Sequence, residues 1–117
     1  MWLFCKHGFF SAVEHKDDES MVLVRSRFRG DLERLLESAG LDTWKAIVNN
    51  TPDADYAYRM EIPRETWSRI VQEVADDVDY TNFKAKVHEG GGSLRDEAYM
   101  GCWMELRRAQ EKSRLSC

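Results

Sequence analysis

The stretch Met21–Gly40, MVLVRSRFRGDLERLLESAG, changes from one periodicity to another and thereby defines an α+β fold. Its first part alternates apolar residues with leucine and then arginine, which is the pattern of a half-buried strand. From Asp31 onward leucines recur at helical spacing. Asp31 is predicted as the N-cap and Gly40 as the residue that follows the helix. A strand that leads into an amphipathic helix predicts a helix packed on one face of a sheet.

The alternation in this strand places Arg25, Arg27 and Arg29 together on the face that we expect the helices to leave uncovered. Arg59, in a later strand, is expected on the same face. Planar guanidinium groups suit phosphate and carboxylate ligands, so this face is a candidate binding surface. The simpler interpretation is that these arginines form ion pairs across the strands. The candidate partners are Glu14, Asp55 and Glu61.

The segment that precedes this strand begins MWLFCKHGFFSAVEH and is rich in aromatic residues. Residues 2–13 are predicted to form one strand, whose aromatic side chains fill the core and which has a bulge or a close approach at Gly8. The polar stretch HKDDES that follows predicts a turn. The two strands are therefore expected to pair antiparallel.

The segments that follow Gly40 predict a second hairpin and two helices. TWKAIV and YAYRMEI are strand candidates separated by the turn-forming NNTPDAD, with Tyr56, Tyr58, Met60 and Ile62 on one side. A helix is predicted from Pro63, with an apolar stripe of Trp67, Ile70, Val71, Val74 and Val78. A last helix is predicted from Ser93, with an apolar line of Leu94, Ala98, Cys102 and Leu106.

The predicted order is ββαββα followed by a C-terminal helix. It corresponds to an antiparallel sheet of about four strands with helices on one face, a two-layer sandwich related to the ferredoxin-like plan. A chain of 117 residues is long enough for one core. We expect a single domain over residues 1–112 and a loose tail over residues 113–117.

Composition is that of an ordinary globular protein, with 21 acidic and 17 basic residues and a net charge of −4. This balance does not favour nucleic acid or membrane surfaces as partners. Neither a signal peptide nor the roughly 18 apolar residues of a membrane helix is found, so a cytoplasmic protein is expected. The three cysteines are few and far apart, which argues against a disulfide framework.

Few residues are arranged for catalysis. The triple glycine lacks the lysine of a phosphate loop, the histidines lack the spacing of metal ligands, and neither a metal nor another cofactor is predicted. Cys5 and His7 are predicted to share a strand face, which leaves open a small hydrolase or transferase with a thiol site. Asp76 and Asp77 lie near a predicted helix C-terminus, where negative charge is unfavourable, and so we expect a nearby Lys or Arg partner.

The connector DYTNFK combines aromatic and hydrogen-bonding side chains. Asn82 is expected to cap a turn while Tyr80 packs on the core. The alternative is that Tyr80, Asn82 and Lys84 form a polar rim around a ligand, since functional residues concentrate in loops.

The segments WLFCKHGFFS, DYAYRMEIP and DYTNFK together resemble a group of small uncharacterised bacterial proteins that begin with a tryptophan-led strand containing GFFS. The resemblance implies a bacterial cytoplasmic single domain and carries no activity, cofactor or functional residue. The residues favour a non-enzymatic binding or regulatory module over an enzyme. Its expected partner is another protein or a phosphate-bearing ligand. Nucleic acid is disfavoured by the net charge and by the lack of an RNP-like pattern, although Trp2 or Phe4 would be available for base stacking on an open sheet.

Overall fold

The chain, in a computed structural model that describes residues 1–41, 48–90 and 92–115, contains an antiparallel sheet and helices. The described elements are β1 Trp2–Cys5, β2 Gly8–Glu14, β3 Met21–Ser26, α1 Arg29–Ser38, β4 Asn49–Asn50, β5 Tyr58–Pro63, α2 Arg64–Asp76, α3 Phe83–Glu89 and α4 Ser93–Leu115. Five strands form one sheet in the order β1-β2-β3-β5-β4, and every neighbouring pair is antiparallel. The α+β class is confirmed, with five described strands where about four were expected and without the ferredoxin-like order.

The predicted first strand is in fact a hairpin. Lys6 and His7 form a tight turn, and Cys5 pairs with Gly8 at its base. Gly8 adopts φ +149°, and a Cβ atom there would lie 2.3 Å from the Cγ of Asp31. The close approach expected at Gly8 is therefore present, and it is Asp31 that approaches. The predicted antiparallel pairing with the next strand is confirmed, between β2 and β3.

The core lies between the sheet and the helices α1 and α2. Phe10, Val24, Leu35 and Met60 are completely buried, and Ile70 of α2 joins the same cluster. Burial alternates along β3 as expected for a strand with one face on a core, since Val22, Val24 and Ser26 are buried and the residues between them are half-buried.

Helix α1 ends as its sequence predicts and begins differently. Gly40 has φ +70°, its N–H donates to Glu37 O (3.0 Å), and the N–H of Leu41 donates to Leu36 O (2.9 Å), which is a Schellman motif. The N-cap position is Phe28. Asp31 lies inside the first turn and is buried, so its prediction as N-cap was wrong.

Helix α2 buries the predicted stripe only in part. Trp67 and Ile70 are buried, and Val71 and Val74 pack partly buried against the core. Val78 follows the end of the helix and is 56% exposed, so the stripe ends before it.

The chain divides into two compact units, Met1–Asp79 and Tyr80–Cys117. The prediction of one domain over residues 1–112 remains a prediction. The predicted strand over residues 43–48 lies outside the described residues except at Val48, which is not in a strand. Within the described ranges no helix is long and apolar enough to cross a membrane.

In the second unit α3 and α4 pack against each other. Helix α3 begins inside the stretch predicted as a connector, and α4 continues to Leu115, so residues 113–115 are helical instead of loose. Tyr99 of α4 stacks on Phe83 of α3, with ring centroids 5.9 Å apart. The line predicted to be the buried stripe of α4 is exposed at Leu94, Ala98, Cys102 and Leu106.

Candidate functional site

The sheet has one face that α1 and α2 do not cover, and we call it the arginine face. Because side chains alternate along a strand, the burial of Val24 and Met60 beneath the helices turns Arg25 and Arg59 to the opposite side. These two arginines are direct neighbours in the register of β3 and β5. The prediction that Arg25 projects from the uncovered face is confirmed.

Three guanidinium groups gather around the ring of Tyr56, which is buried just before β5 begins. The Cζ atom of Arg25 lies 4.8 Å from the ring centroid and that of Arg27 lies 4.5 Å from it. Arg59 donates from Nη2 to the backbone carbonyl of Tyr56 (3.4 Å). Cations over an aromatic face are attracted by its quadrupole, so Tyr56 holds two of the three in place.

The hydrogen bonds of these arginines go to neutral acceptors. Arg25 donates to Ser11 Oγ (2.8 Å) and Arg27 donates to the backbone oxygen of Asp55 (2.7 Å). No carboxylate among the described residues forms an ion pair with Arg25, Arg27 or Arg59, so the predicted cross-strand ion pairs are not formed. The predicted partner carboxylates are engaged in other contacts, Arg64 to Glu14 (2.7 Å), His15 to Glu61 (3.4 Å) and the Tyr56 N–H to Asp55 (2.9 Å).

Arg29 does not join this group, and its prediction as part of the same face was wrong. Strand β3 ends at Ser26, and Arg29 is the first residue of α1. Its Nε atom donates to Glu33 Oε1 (2.9 Å) one turn along the helix, and both side chains are exposed. An exposed pair of this kind contributes little to stability.

Aromatic side chains of the first hairpin lie on the arginine face as well. The ring of Phe9 is stacked on Phe4 at a centroid distance of 4.5 Å and meets the edge of Trp2 at 5.8 Å. Trp2 is 72% exposed. Of the four aromatic residues expected to fill the core, only Phe10 is completely buried, because the other three point to the opposite face.

The alternative site at Cys5 and His7 is not built as predicted. His7 lies in the turn, not on a strand face with Cys5, and the Cys5 thiol is buried in the core. Burial raises the pKa of Cys5, which disfavours the thiolate that nucleophilic catalysis needs. Burial also lowers the pKa of His7, and the neighbouring charges of Lys6 and Arg34 add to this effect.

The turn is held by charged groups from other elements. Lys6 Nζ lies 2.8 Å from Asp77 Oδ2, so the expected basic partner at the end of α2 is Lys6. This contact raises the pKa of Lys6. Arg34 donates to the carbonyl of His7 (3.1 Å) and also binds the buried Asp31. The network accounts for the polar residues within the aromatic N-terminal stretch as structural groups.

The three residues predicted as a loop rim lie in the second unit, at the start of α3. Asn82 is the N-cap, and its Oδ1 accepts from the Ala85 N–H (3.0 Å). Tyr80 packs on Phe83 at a centroid distance of 6.0 Å, and the Lys84 ammonium lies 4.2 Å from the ring centroid of Trp103. The capping role expected for Asn82 is therefore present.

Asn82 and Lys84 also line a cavity of about 400 Å³ between α3 and α4. His88 Nδ1 lies 2.7 Å from Asp96 Oδ2 at this cavity. This pair joins residues from different helices across the glycine loop, and for that reason the sequence analysis missed it. Among the described residues there is no group of three or more His, Cys, Asp or Glu side chains that can hold a metal ion.

Comparison of the chain with protein-family models, with curated proteins and with solved structures gives no match. The function is therefore argued from geometry. Tyr56 is the central residue that the sequence analysis assigned differently, since strict alternation placed it with Met60 on the core side. The strand begins only at Tyr58, and so the alternation does not extend back to Tyr56. The DADY turn before the strand was the signal for this change.

Proposed function

We propose that the chain is a non-enzymatic binding module that takes an anionic group on the arginine face. The observation that carries the proposal is the gathering of Arg25, Arg27 and Arg59 around Tyr56 with neutral hydrogen-bond acceptors only. Like charges held close together repel one another, and a bound anion relieves that repulsion. Phosphate and carboxylate groups match the planar donor array of a guanidinium.

The surroundings of these arginines favour recognition of a local group over attraction of a distant one. The net charge of the chain is −4, so its far field repels the same ligands that the arginine face attracts. The hydrogen bonds to Ser11 and to two backbone carbonyls fix the directions of the guanidinium groups before any ligand arrives. Such preorganisation reduces the entropy that binding costs.

The test is a titration with sodium pyrophosphate followed by NMR of the backbone amides of β3 and β5 and of the arginine side chains. We expect shifts at Arg25, Arg27 and Arg59 that weaken between about 50 mM and about 200 mM salt, because the contact is electrostatic. The Arg25→Gln/Arg27→Gln double variant should lose them.

A matched control is Arg107→Gln/Arg108→Gln, which removes the same charge from the exposed part of α4. It should bind pyrophosphate like the unmodified chain. Equal binding by the Arg25→Gln/Arg27→Gln variant, or no shifts at low salt, contradicts the proposal and leaves these arginines with a structural role around Tyr56.

A further inference from the structure

The register of the sheet aligns one side chain from every described strand in a single row across the arginine face. Each member is the direct partner of the next, and the row reads Trp2, Ser11, Arg25, Arg59, Asn49. Strands lie about 4.8 Å apart, so the row is about 19 Å long. It begins with an exposed aromatic ring, passes two guanidinium groups at its centre and ends with an exposed amide.

The chemistry of the row changes along its length in a way that an isolated phosphate does not use. Trp2 is 72% exposed while Phe9 contacts its ring at 5.8 Å, which positions an aromatic surface that water covers in the free protein. Arg25 lies two strands away, at about 10 Å. A ligand that satisfies both ends carries a flat ring and an anionic group separated by a short spacer, and that is the composition of a nucleotide.

We propose, resting on the function proposed above, that the ligand of the arginine face is a short single-stranded nucleic acid, with one base stacked on Trp2 and a phosphate bound by Arg25 and Arg59. Stacking on an exposed ring requires a base that is free of a partner strand, which excludes a regular duplex. An acidic protein segment would use the arginines but would leave the Trp2 ring without a function.

The negative net charge is consistent with this assignment when the contact is short. Only phosphates that reach the row are neutralised, and phosphates beyond it meet a chain that carries more acidic than basic residues. The lack of an RNP-like sequence excludes one arrangement of aromatic residues on a sheet, whereas stacking itself needs only an exposed ring beside a cationic groove.

The experiment is a fluorescence anisotropy titration with a labelled oligothymidylate of about eight nucleotides and with an abasic oligonucleotide of the same length. We expect the abasic probe to bind more weakly, since it retains the phosphates and lacks the bases. Two to three phosphate contacts predict a roughly 7- to 18-fold loss of affinity between about 50 mM and about 200 mM salt.

Variants separate stacking from charge. Trp2→Ala should weaken binding of the oligothymidylate by roughly 5- to 150-fold and leave the abasic probe unchanged, while Trp2→Phe should restore part of the affinity. Trp103→Ala, which removes another exposed tryptophan, should have no effect. Arg25→Gln/Arg59→Gln should weaken both probes and make the salt dependence shallower. Circular dichroism checks that each variant is folded.

The outcomes distinguish this inference from the proposed function. If both probes bind equally and Trp2→Ala changes neither, the nucleic-acid assignment is overturned while anion binding stands. Tighter binding of a polyglutamate peptide than of the oligothymidylate at the same salt also overturns it. If neither oligonucleotide binds and pyrophosphate produces no shifts, both proposals fail.

Discussion

The two faces of the sheet use the same five strands to opposite ends. On the face beneath α1 and α2, Phe10, Val24 and Met60 have no exposed surface. On the arginine face, Arg25 and Arg59 occupy the neighbouring positions of the same strands and lack an ion pair among the described residues. One face is therefore complete by itself, and the other gathers positive charge without compensating it. The difference teaches that stability and ligand binding are separable here by mutating adjacent residues.

The sharpest test of this separation compares Phe10 with its neighbour Phe9. Phe10→Ala should lower the free energy of unfolding by about 3–5 kcal/mol, because it empties a completely buried site. Phe9→Ala should lower it by about 1–2 kcal/mol, because it removes only aromatic contacts on the half-buried opposite face. Chemical denaturation measures both. Equal losses would show that the arginine face contributes to stability as much as the core does.

A second test concerns the turn that joins β1 to β2, where the two faces meet. Gly8→Ala should destabilise the fold by about 2–3 kcal/mol, since a Cβ there meets Asp31 and the φ angle is unfavourable for other residues. The control is Gly101→Ala in α4, where a Cβ meets nothing within 4 Å and helix propensity should increase. A Gly8→Ala variant as stable as the unmodified chain would mean that Asp31 is not packed against the turn.

The pH dependence of stability should also depend on this turn. The pKa of His7 is lowered by burial, with Lys6 and Arg34 adding to the effect and Asp77 opposing it. The unfolded chain therefore binds a proton more readily than the folded one, so stability should decrease as pH falls through about 6.5. His7→Asn should make the decrease smaller. Thermal unfolding at several pH values measures the difference, and identical slopes for both proteins would contradict the buried position of His7.

The smallest expected effect is that of the arginines themselves. Arg25→Gln/Arg59→Gln should change the free energy of unfolding by no more than about 1 kcal/mol, because these groups make no ion pair whose loss would leave a buried charge. Added salt should stabilise the unmodified chain more than the variant, since it screens the repulsion among the guanidinium groups. A loss comparable to that of Phe10→Ala would show that the arginines belong to the folding core.

Periodicity in the sequence correctly predicts the features that depend on local alternation. Val24 and Arg25 lie on the predicted faces because a strand permits no other arrangement, and Gly40 ends α1 because the helix needs a residue with positive φ there. The tight turn at Lys6 and His7 was missed because neither residue is typical of a turn. Long-range contacts with Asp77 and Arg34 stabilise it, and no local pattern contains them.

The candidate site was predictable only in outline. Arg25 and Arg59 were placed on one face by alternation, but their relation to Tyr56 depends on where β5 begins. The missing ion pairs depend on the competing partners of the carboxylates, such as Arg64 for Glu14. Helix α3 was missed because it has only 7 residues and its sequence carries more loop signals than helical ones.

The outer strands of the sheet determine how the protein meets other extended chains. Within the described residues, β4 has 2 residues and β1 has 4, and these two strands are the borders of the sheet. A border strand presents unpaired backbone groups that can recruit another chain, and a short border offers few of them. Strand addition and edge-to-edge aggregation therefore have little backbone to build on. A partner that binds this sheet must recognise side chains on its broad surface instead of extending its ladder of hydrogen bonds.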